Sequence, residues 1–433
     1  MLNSLKHYFF SITILTTSVV SAQNLDDIYQ QVLQADPGLL IESLTVEVDA
    51  TRERQAFGAL LPQISLGSSW TENKQLPEGL SKQSYSGERY NLSVSQPLID
   101  MPKYYSWKQS EALSGQSVFK QKENASLTKL NMIERYFNVL NATDELALSR
   151  ETRAATEKKV EHIRALYKMQ RVKVTDLLEV EARLDMLASK EIDAMQETEK
   201  ARGGLGELTN SKIEYISPLK KAVDYIERVE DINEWTIVSV AKSYRLMAFQ
   251  KAIDAAQRNV DKKSSGHYPT LGLRLNKQKS NIGYESASTR PTITEVATLQ
   301  LSIPIYSGGV TSARTYEAIH QLEIAQLRYE QEKRKLIKQS REMFLGLNAI
   351  ITRIEAAKQA VKSSRKSYKA MKRSFELEIA TVTDLLEEQR LFSMAKRLHQ
   401  RALYDYITAK ARLFHLSGKL DEGFIYKIND WLI

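Results

Sequence analysis

Apolar residues in the C-terminal half of the chain recur at alternating steps of four and three. The series is Met343, Leu347, Ile350, Ile354, Ala357, Val361, Ser364, Tyr368, Met371 and Phe375. Only Ser364 breaks it, and the period of 3.5 keeps one stripe of a helix facing a partner as the two helices supercoil. No proline interrupts residues 310–377, so we predict a single helix there, roughly 100 Å long. Such a helix needs other long helices packed along its length.

Two segments nearer the N-terminus alternate apolar and polar residues with a period of two. This pattern is typical of a β-strand with one apolar face. The first segment, 64–70, follows Pro62, and the second spans 90–98 after a loop that contains proline and glycine. We predict two helices before them, at 25–35 and 39–60, and expect Pro62 to end the second helix.

A helical pattern then runs from Pro102 to Pro218, with a predicted turn at 170–174 that separates a long helix from a shorter antiparallel partner. The same order starts again about 207 residues further on, where Pro269 matches Pro62. Each half reads helix, strand, strand, long helix, shorter helix, and the repeat is much longer than a solenoid repeat. The predicted divisions are a first repeat at 23–210, a connection at 211–231, a second repeat at 232–418 and a C-terminal segment at 419–433.

The first 22 residues have the pattern of a secretory signal peptide. Lys6 precedes an apolar run at 8–15, and the small residues of 20–22 come before a polar segment. We predict cleavage after Ala22; the alternative is a short buried helix. No later stretch reaches ~18 apolar residues, so no membrane-spanning helix is predicted. The sequence has no cysteine, which excludes disulfides and attachment of lipid to an N-terminal Cys.

Composition and charge favour a folded, exported protein without its own chemistry. The 433 residues are 42% hydrophobic and 26% charged, enough to build a core. The net charge of +8 comes from basic residues spread along helical patterns, which favours a solvated coiled-coil face over binding of nucleic acid. The six histidines are isolated, and no nucleophile or phosphate-loop motif is present. We therefore expect no enzyme activity, no cofactor and no metal.

Each half supplies two strands of about ten residues, the length of a strand that crosses a membrane. Four strands cannot close a barrel, and the unpaired edges of an open sheet cannot lie in lipid. Three copies would supply twelve strands, an even number that encloses a wide lumen. The chain must therefore either form an oligomer or keep these strands out of the membrane.

Three motifs carry a resemblance to a known family. They are SQPLID at 95–100, YFNVLNA at 136–142 and PIYSGG at 304–309, set within the two-fold repeat and beside the prolines that flank the strands. Together they resemble the TolC outer membrane efflux family over nearly all of the chain after the signal peptide. The resemblance implies a mainly helical fold with transmembrane β-structure: long antiparallel coiled-coil helices in an α-barrel, and four strands per chain in a trimeric twelve-stranded β-barrel.

The resemblance also implies a function and partners. The protein would be a passive exit duct of a tripartite export system, either efflux or type I secretion. It would work as a homotrimer in outer membrane lipid of a Gram-negative bacterium and extend into the periplasm. A periplasmic adaptor and an inner-membrane pump, ABC or proton-driven, would supply the energy. The alternative function is a periplasmic coiled-coil adaptor or structural spacer that never enters the membrane.

Asp384 and Glu387 lie one helical turn apart, just after the turn between the second pair of helices. In TolC-like proteins the matching acidic positions line the periplasmic constriction. Three copies would form carboxylate rings that prefer cations. The alternative is that Thr381 or Thr383 caps the helix and Asp384 interacts with its positive end. Both can hold together.

Asp176 and Glu179 occupy the matching positions in the first repeat. The resemblance implies that an aspartate there bonds to a neighbouring chain in the closed state. The family's model member has an arginine and a tyrosine near the second tip, where this chain has Ala380 and Phe375. The closing polar network is therefore altered, and we take Asp176, Glu179 and Phe375 as gate or intersubunit candidates.

Basic residues surround both predicted turns. The candidates for docking to an adaptor are Lys168, Arg171, Lys173, Lys372 and Arg373. Alternatively they form a solvated helical face, or they hold salt bridges that keep a carboxylate ring shut.

Overall fold

The computed structural model describes residues 22–75, 82–220, 231–282, 288–377 and 379–433. The predicted signal peptide lies outside these residues, apart from Ala22. Within the described residues, no helix is both long and apolar enough to span a membrane.

The elements of each half follow the predicted order. The first half contains α1 (Leu25–Ala35), α2 (Pro37–Gly58), β1 (Gln63–Gln75), β2 (Gln83–Ile99), α3 (Met101–Lys168) and α4 (Val174–Thr209). The second half contains α5 (Ile232–Lys242), α6 (Tyr244–Ser264), a 3₁₀ turn (Ser265–His267), β3 (Thr270–Ile282), β4 (Ser288–Ser302), α7 (Val310–Glu376), α8 (Val382–Leu416) and α9 (Glu422–Asn429).

The predicted bounds of the second helix were wrong by two residues at each end. Asp36 caps α2 through a bond from the backbone N–H of Gly38, and Pro37 occupies the first helical position, where its missing N–H costs nothing. The helix ends at Gly58 rather than at Pro62, because the backbone N–H groups of Leu60 and Leu61 bond to carbonyls only three residues back, as that of Leu61 does to Gly58.

The two long helices are confirmed at 68 residues for α3 and 67 for α7. Every member of the predicted seam on α7 is at least partly buried, and Leu347, Ile354 and Ala357 belong to the core. The returning helices α4 and α8 pack against α3 and α7, and α8 also packs against α3. The chain therefore forms two long helical hairpins joined side by side.

The four strands form one antiparallel sheet in the order β1-β2-β3-β4. The pairing of β2 with β3 joins the two repeats, with Val94 opposite Leu275. One face of the sheet is apolar and open, since Ile64, Leu66 and Leu299 are 71%, 78% and 65% exposed. No further strand covers the outer edges of β1 and β4 in the described part of the chain. An apolar face and two open edges require further partners.

The largest core lies around the middle of the long helices. Tyr136 on α3 is fully buried, and its hydroxyl donates to the carbonyl of Ser217 at 2.9 Å. Short bridges join Gln23 to Ile216 and Leu219 to Leu432, so the two segments that follow α4 and α8 pack here together. Helices α1 and α9 complete this belt, far from both the sheet and the helix tips.

Candidate functional site

The candidate site lies where both hairpins turn, at the end distant from the sheet. The first turn joins Lys168 of α3 to Val174 of α4, and it requires a left-handed backbone at Gln170, where φ is 60°. The second turn joins Glu376 of α7 to Val382 of α8. We call the two turns and their adjoining helix ends the tip region.

A small apolar cluster holds the two turns against each other. Its buried members come from both hairpins and are Val160, Ile163, Val180, Val382 and Leu386. Phe375 packs against this cluster, and its ring lies edge-on to His162 with centroids 6.3 Å apart. The structure therefore places Phe375 in the packing between the two hairpins of one chain.

Asp384 is bonded into the start of α8. Its Oδ2 accepts from the hydroxyl of Thr381 at 2.6 Å and from the backbone N–H of the same residue at 3.1 Å. The backbone N–H of Asp384 donates in return to the Thr381 hydroxyl, which completes a capping box. These bonds from Thr381 hold the pKa of the Asp384 carboxyl below its usual range. The carboxylate remains exposed, so the capping role leaves its charge available to solvent.

Glu387 follows on the next turn and pairs with Arg390. Two guanidinium nitrogens of Arg390 donate to its carboxylate oxygens at 2.8 and 2.5 Å. The bonds from Arg390 lower the pKa of Glu387. This bidentate pair partly offsets the negative charge that Glu387 would bring to a pore. The ion pair with Arg390 was not predicted from the sequence, although oppositely charged residues three positions apart on one helix commonly pair.

The acidic pair of the first turn has two separate contacts. Oδ2 of Asp176 accepts from the backbone N–H of Lys173 at 3.2 Å, which ties down the start of α4. Oε2 of Glu179 accepts from the hydroxyl of Thr383 at 2.8 Å, which joins the two hairpins. Sequence reasoning considered Thr383 only as a helix cap. The spacing of Thr381 to Asp384 already fits a capping box, and this leaves Thr383 available for another bond.

The five basic candidates are exposed around these turns. Lys168 is the last residue of α3, and Lys173 caps α4 without a side-chain bond. Arg373 pairs with Glu376 one turn later on the same helix, at 3.5 Å. An exposed pair of this kind is weak and easily exchanged for another partner.

A half-buried lysine above the tip region, Lys159, makes contacts that the sequence did not predict. The Lys159 ammonium donates to Oε1 of Gln389 on the other hairpin and lies 5.5 Å from the centroid of the Tyr368 ring. Nε2 of Gln389 in turn donates to the hydroxyl of Thr156 at 3.4 Å. Burial, with repulsion from Lys372, lowers the pKa of Lys159 to about 8. Only the tertiary structure reveals that Lys159 faces the opposite hairpin while its neighbour Lys158 faces solvent.

This chain is similar to outer membrane efflux and secretion proteins. The family model described as outer membrane efflux protein matches residues 239–419. The chain is 25% identical over 429 residues to outer membrane protein TolC of Escherichia coli, with 96% of this chain and 86% of that protein covered. It is 28% identical over 417 residues to the alkaline protease secretion protein AprF of Pseudomonas aeruginosa, with 93% and 86% covered.

Solved structures with the same fold are outer membrane channels. The Campylobacter jejuni CmeC outer membrane channel superposes with a TM-score of 0.82 and 15% identity, over 94% of this chain and 89% of that chain. The open state of the Neisseria gonorrhoeae MtrE outer membrane channel gives a TM-score of 0.77 and 14% identity, over 92% and 90%. At these identities the likeness establishes the fold.

Proposed function

We infer that this chain is an outer membrane exit duct of a tripartite export system, from its match to the outer membrane efflux protein family over residues 239–419 and its similarity to TolC and AprF over nearly its whole length. It resides in the outer membrane of a Gram-negative bacterium and conducts passively from the periplasm. The energy for transport comes from its partners, because the channels of this family work with adaptor and pump proteins.

The observation that carries this function is the open, one-sidedly apolar sheet on top of two long helical hairpins. The apolar face is exposed at Leu66 and Leu299, as lipid contact requires. The edges of β1 and β4 cannot remain unpaired in lipid. Channels of this family are trimers, and three copies of this sheet would pair β1 of one copy with β4 of the next into a twelve-stranded barrel.

The tip region is our proposed gate. In a closed trimer, Asp384 and Glu387 of three chains face a narrow periplasmic constriction, and the capping role of Asp384 is compatible with this position. The apolar cluster beneath Phe375 and the bond from Thr383 to Glu179 hold the α7–α8 hairpin against the α3–α4 hairpin. Opening separates these contacts. Asp176, at the start of α4, is left free to contact a neighbouring chain through the remaining lone pairs of its carboxylate.

The exposed cations of the tip region are our proposed docking site for a periplasmic adaptor. Lys168 and Lys173 lie on opposite sides of the first turn, with Arg171 between them. Lys372 and Arg373 lie at the end of α7. An acidic or carbonyl-rich hairpin end of a partner would complement this charge.

Extraction and assembly test the proposal. We expect the protein to fractionate with outer membranes, to require detergent, and to migrate as a trimer that dissociates on heating. Reconstituted protein should form ion-conducting channels in planar bilayers. A protein released from the periplasm without detergent, as a monomer that forms no channels, would instead support a coiled-coil adaptor or spacer.

Two kinds of relative point to two different cargoes. AprF is named for secretion of a protease, whereas the matched family is named for efflux. Deletion of the gene, followed by measurement of protease in the medium and of susceptibility to toxic small molecules, separates the two. Loss of secreted protease alone assigns type I secretion, and increased susceptibility alone assigns efflux.

A further inference from the structure

The charged residues of the sheet are sorted between its two faces. Backbone alternation and the strand register place Arg89 on β2 and Arg274 on β3 on the polar face. No carboxylate shares that face in the described strands. The opposite, apolar face carries Glu72, Lys74, Glu88, Lys277, Lys279 and Glu295. The polar face is therefore purely cationic, and the apolar face has no net charge.

Ion pairs reinforce this difference. On the apolar face, Lys277 pairs with Glu295 at 2.6 Å, and Lys74 pairs with Glu72 at 3.5 Å. On the polar face, the register partners of Arg274 are Ser95 and Thr298, which have no charge. Arg274 forms no ion pair within the described part of the chain, and its side chain is exposed. No carboxylate among the described residues of this chain therefore pairs with its positive charge.

The polar face is also the face that closure would turn into the lumen. The apolar residues, such as Leu66 and Leu299, lie on the opposite face and are exposed, as lipid contact requires. A closed barrel that presents this apolar face to lipid turns the polar face, with its arginines, inward.

Arg274 lies at the end of this lumen that joins the helices. It lines a cavity of about 330 Å³ together with Gln63, Gln300 and Lys103. Asp100 also lines this cavity, but it caps α3 and its carboxylate lies 3.2 Å from the Lys103 ammonium. Arg89 is six residues beyond Ser95, the partner of Arg274, which places it ~20 Å further along the strands. The two levels of arginine are thus at opposite ends of the sheet.

We propose that Arg274, with its copies in two other subunits, forms an anion-binding ring at the inner end of the β-barrel, which takes carboxylate or phosphate groups of passing solutes. The proposal rests on the trimeric duct proposed above, since one copy supplies only one guanidinium. The guanidinium is always charged and offers a planar fork of donors to such groups. The duct would then select twice, for cations at the tip carboxylates and for anions at Arg274.

Block of single channels by a multivalent anion tests the proposal. Sodium tripolyphosphate is added on the barrel side of trimers in planar bilayers, at two KCl concentrations. We expect the half-blocking concentration to rise about tenfold in Arg274→Gln, the lower end of the effect of a charged cleft on local counter-ions. Arg274→Lys should retain part of the block, and the block should weaken at the higher KCl concentration.

Lys279→Gln is the matched control, because it removes one positive charge from the same strand on the opposite face. Its channels should be blocked at the same half-blocking concentration of tripolyphosphate as those of the wild type. An unchanged block in Arg274→Gln, or an equal loss in Lys279→Gln, would overturn the ring. If the closed gate leaves too little conductance to measure block, the affinity of detergent-solubilised trimers for tripolyphosphate is measured instead, for the same variants and with the same expected order. A protein that forms neither trimers nor channels refutes the duct itself, a result distinct from a channel without anion block.

Discussion

The hydroxyl of Thr383 on α8 donates to Oε2 of Glu179 on α4 at 2.8 Å, and this bond ties together the two hairpins of the chain at their turns. The residues are 204 positions apart in sequence and occupy similar places in the two repeats. In the gate that we propose, opening at this end lengthens or breaks the bond.

Thr383→Val removes this bond while keeping the shape of the side chain. We expect the ratio of open to closed channels to rise about fivefold, because one such bond contributes ~1 kcal/mol. Single-channel recording of purified trimers measures the open probability. Thr383→Ser keeps the hydroxyl and should behave as the wild type. An equal open probability in the Val and wild-type proteins would show that the bond does not restrain the gate.

The carboxylates of Asp384 and Glu387 are predicted to set the ion preference of the constriction. Asp384→Asn with Glu387→Gln removes both charges, and the amide oxygen of the replacement at 384 can still accept from the backbone N–H of Thr381, the residue that caps the helix, so the fold is preserved. We expect the reversal potential in a KCl gradient to move toward zero. Glu376→Gln, which removes an exposed acid just before the turn, is the control. Unchanged selectivity in the double variant would place both residues outside the pore.

The fold could be predicted largely from sequence because its elements are long and strictly periodic. A heptad pattern over thirty-three residues is compatible only with a long helix. Because the sequence repeats, each element is also predicted twice, once in each half. The strands were predicted too short at their outer ends. Residues 71–75 and 83–89 belong to β1 and β2, but they are polar on both faces, so alternation of hydrophobicity does not reveal them.

The contacts of the tip region were beyond sequence reasoning for a different physical reason. The bond between Thr381 and Asp384 is local, because their spacing at the start of one helix is that of a capping box. The bond from Thr383 to Glu179 and the position of Lys159 depend on how two hairpins are rotated against each other. Periodicity gives the stripe that faces a partner helix, but it does not say which side chains meet across two turns.

Phe375 is predicted to hold the tip region closed through packing. Phe375→Ala removes a half-buried ring from the cluster that includes Ile163 and Leu386. Truncation of a fully buried Phe to Ala destabilises a protein by ~3–5 kcal/mol, so we expect the closed tip region to lose roughly half of that stability. The channel should then leak. Leu377→Ala, two residues later and 56% exposed, should change little. Susceptibility of cells to a large antibiotic normally excluded by the outer membrane reports the leak.

The cations of the first turn are predicted to bind the adaptor through charge. Lys168→Glu, Arg171→Glu and Lys173→Glu together should abolish export while trimers still reach the outer membrane. The expected effect on adaptor binding is at least about tenfold, because like charges would meet across the contact. Lys190→Glu, an exposed lysine in the interior of α4, is the control. Normal export by the triple variant would assign these residues to a solvated surface.

Lys159 is predicted to make the packing between the hairpins dependent on pH. Burial lowers its pKa from the ordinary 10.5 to about 8, so the folded protein disfavours the charged form. The resulting cost is fully present below pH 8 and is relieved as the pH rises from 8 toward 10.5.

Lys159→Met removes the charge and keeps most of the side-chain volume. At pH 7 we expect its melting temperature to exceed that of the wild type by about 1 °C, the shift that ~1 kcal/mol gives in a chain of 433 residues. The difference should shrink between pH 8 and 10, because only the wild type gains stability there. Circular dichroism of trimers in detergent measures both profiles, and other titrating groups cancel in the difference. Lys158→Met, at the exposed neighbouring position, should follow the wild type at every pH. Parallel curves for Lys159→Met and wild type would show that the half-buried ammonium does not destabilise the fold.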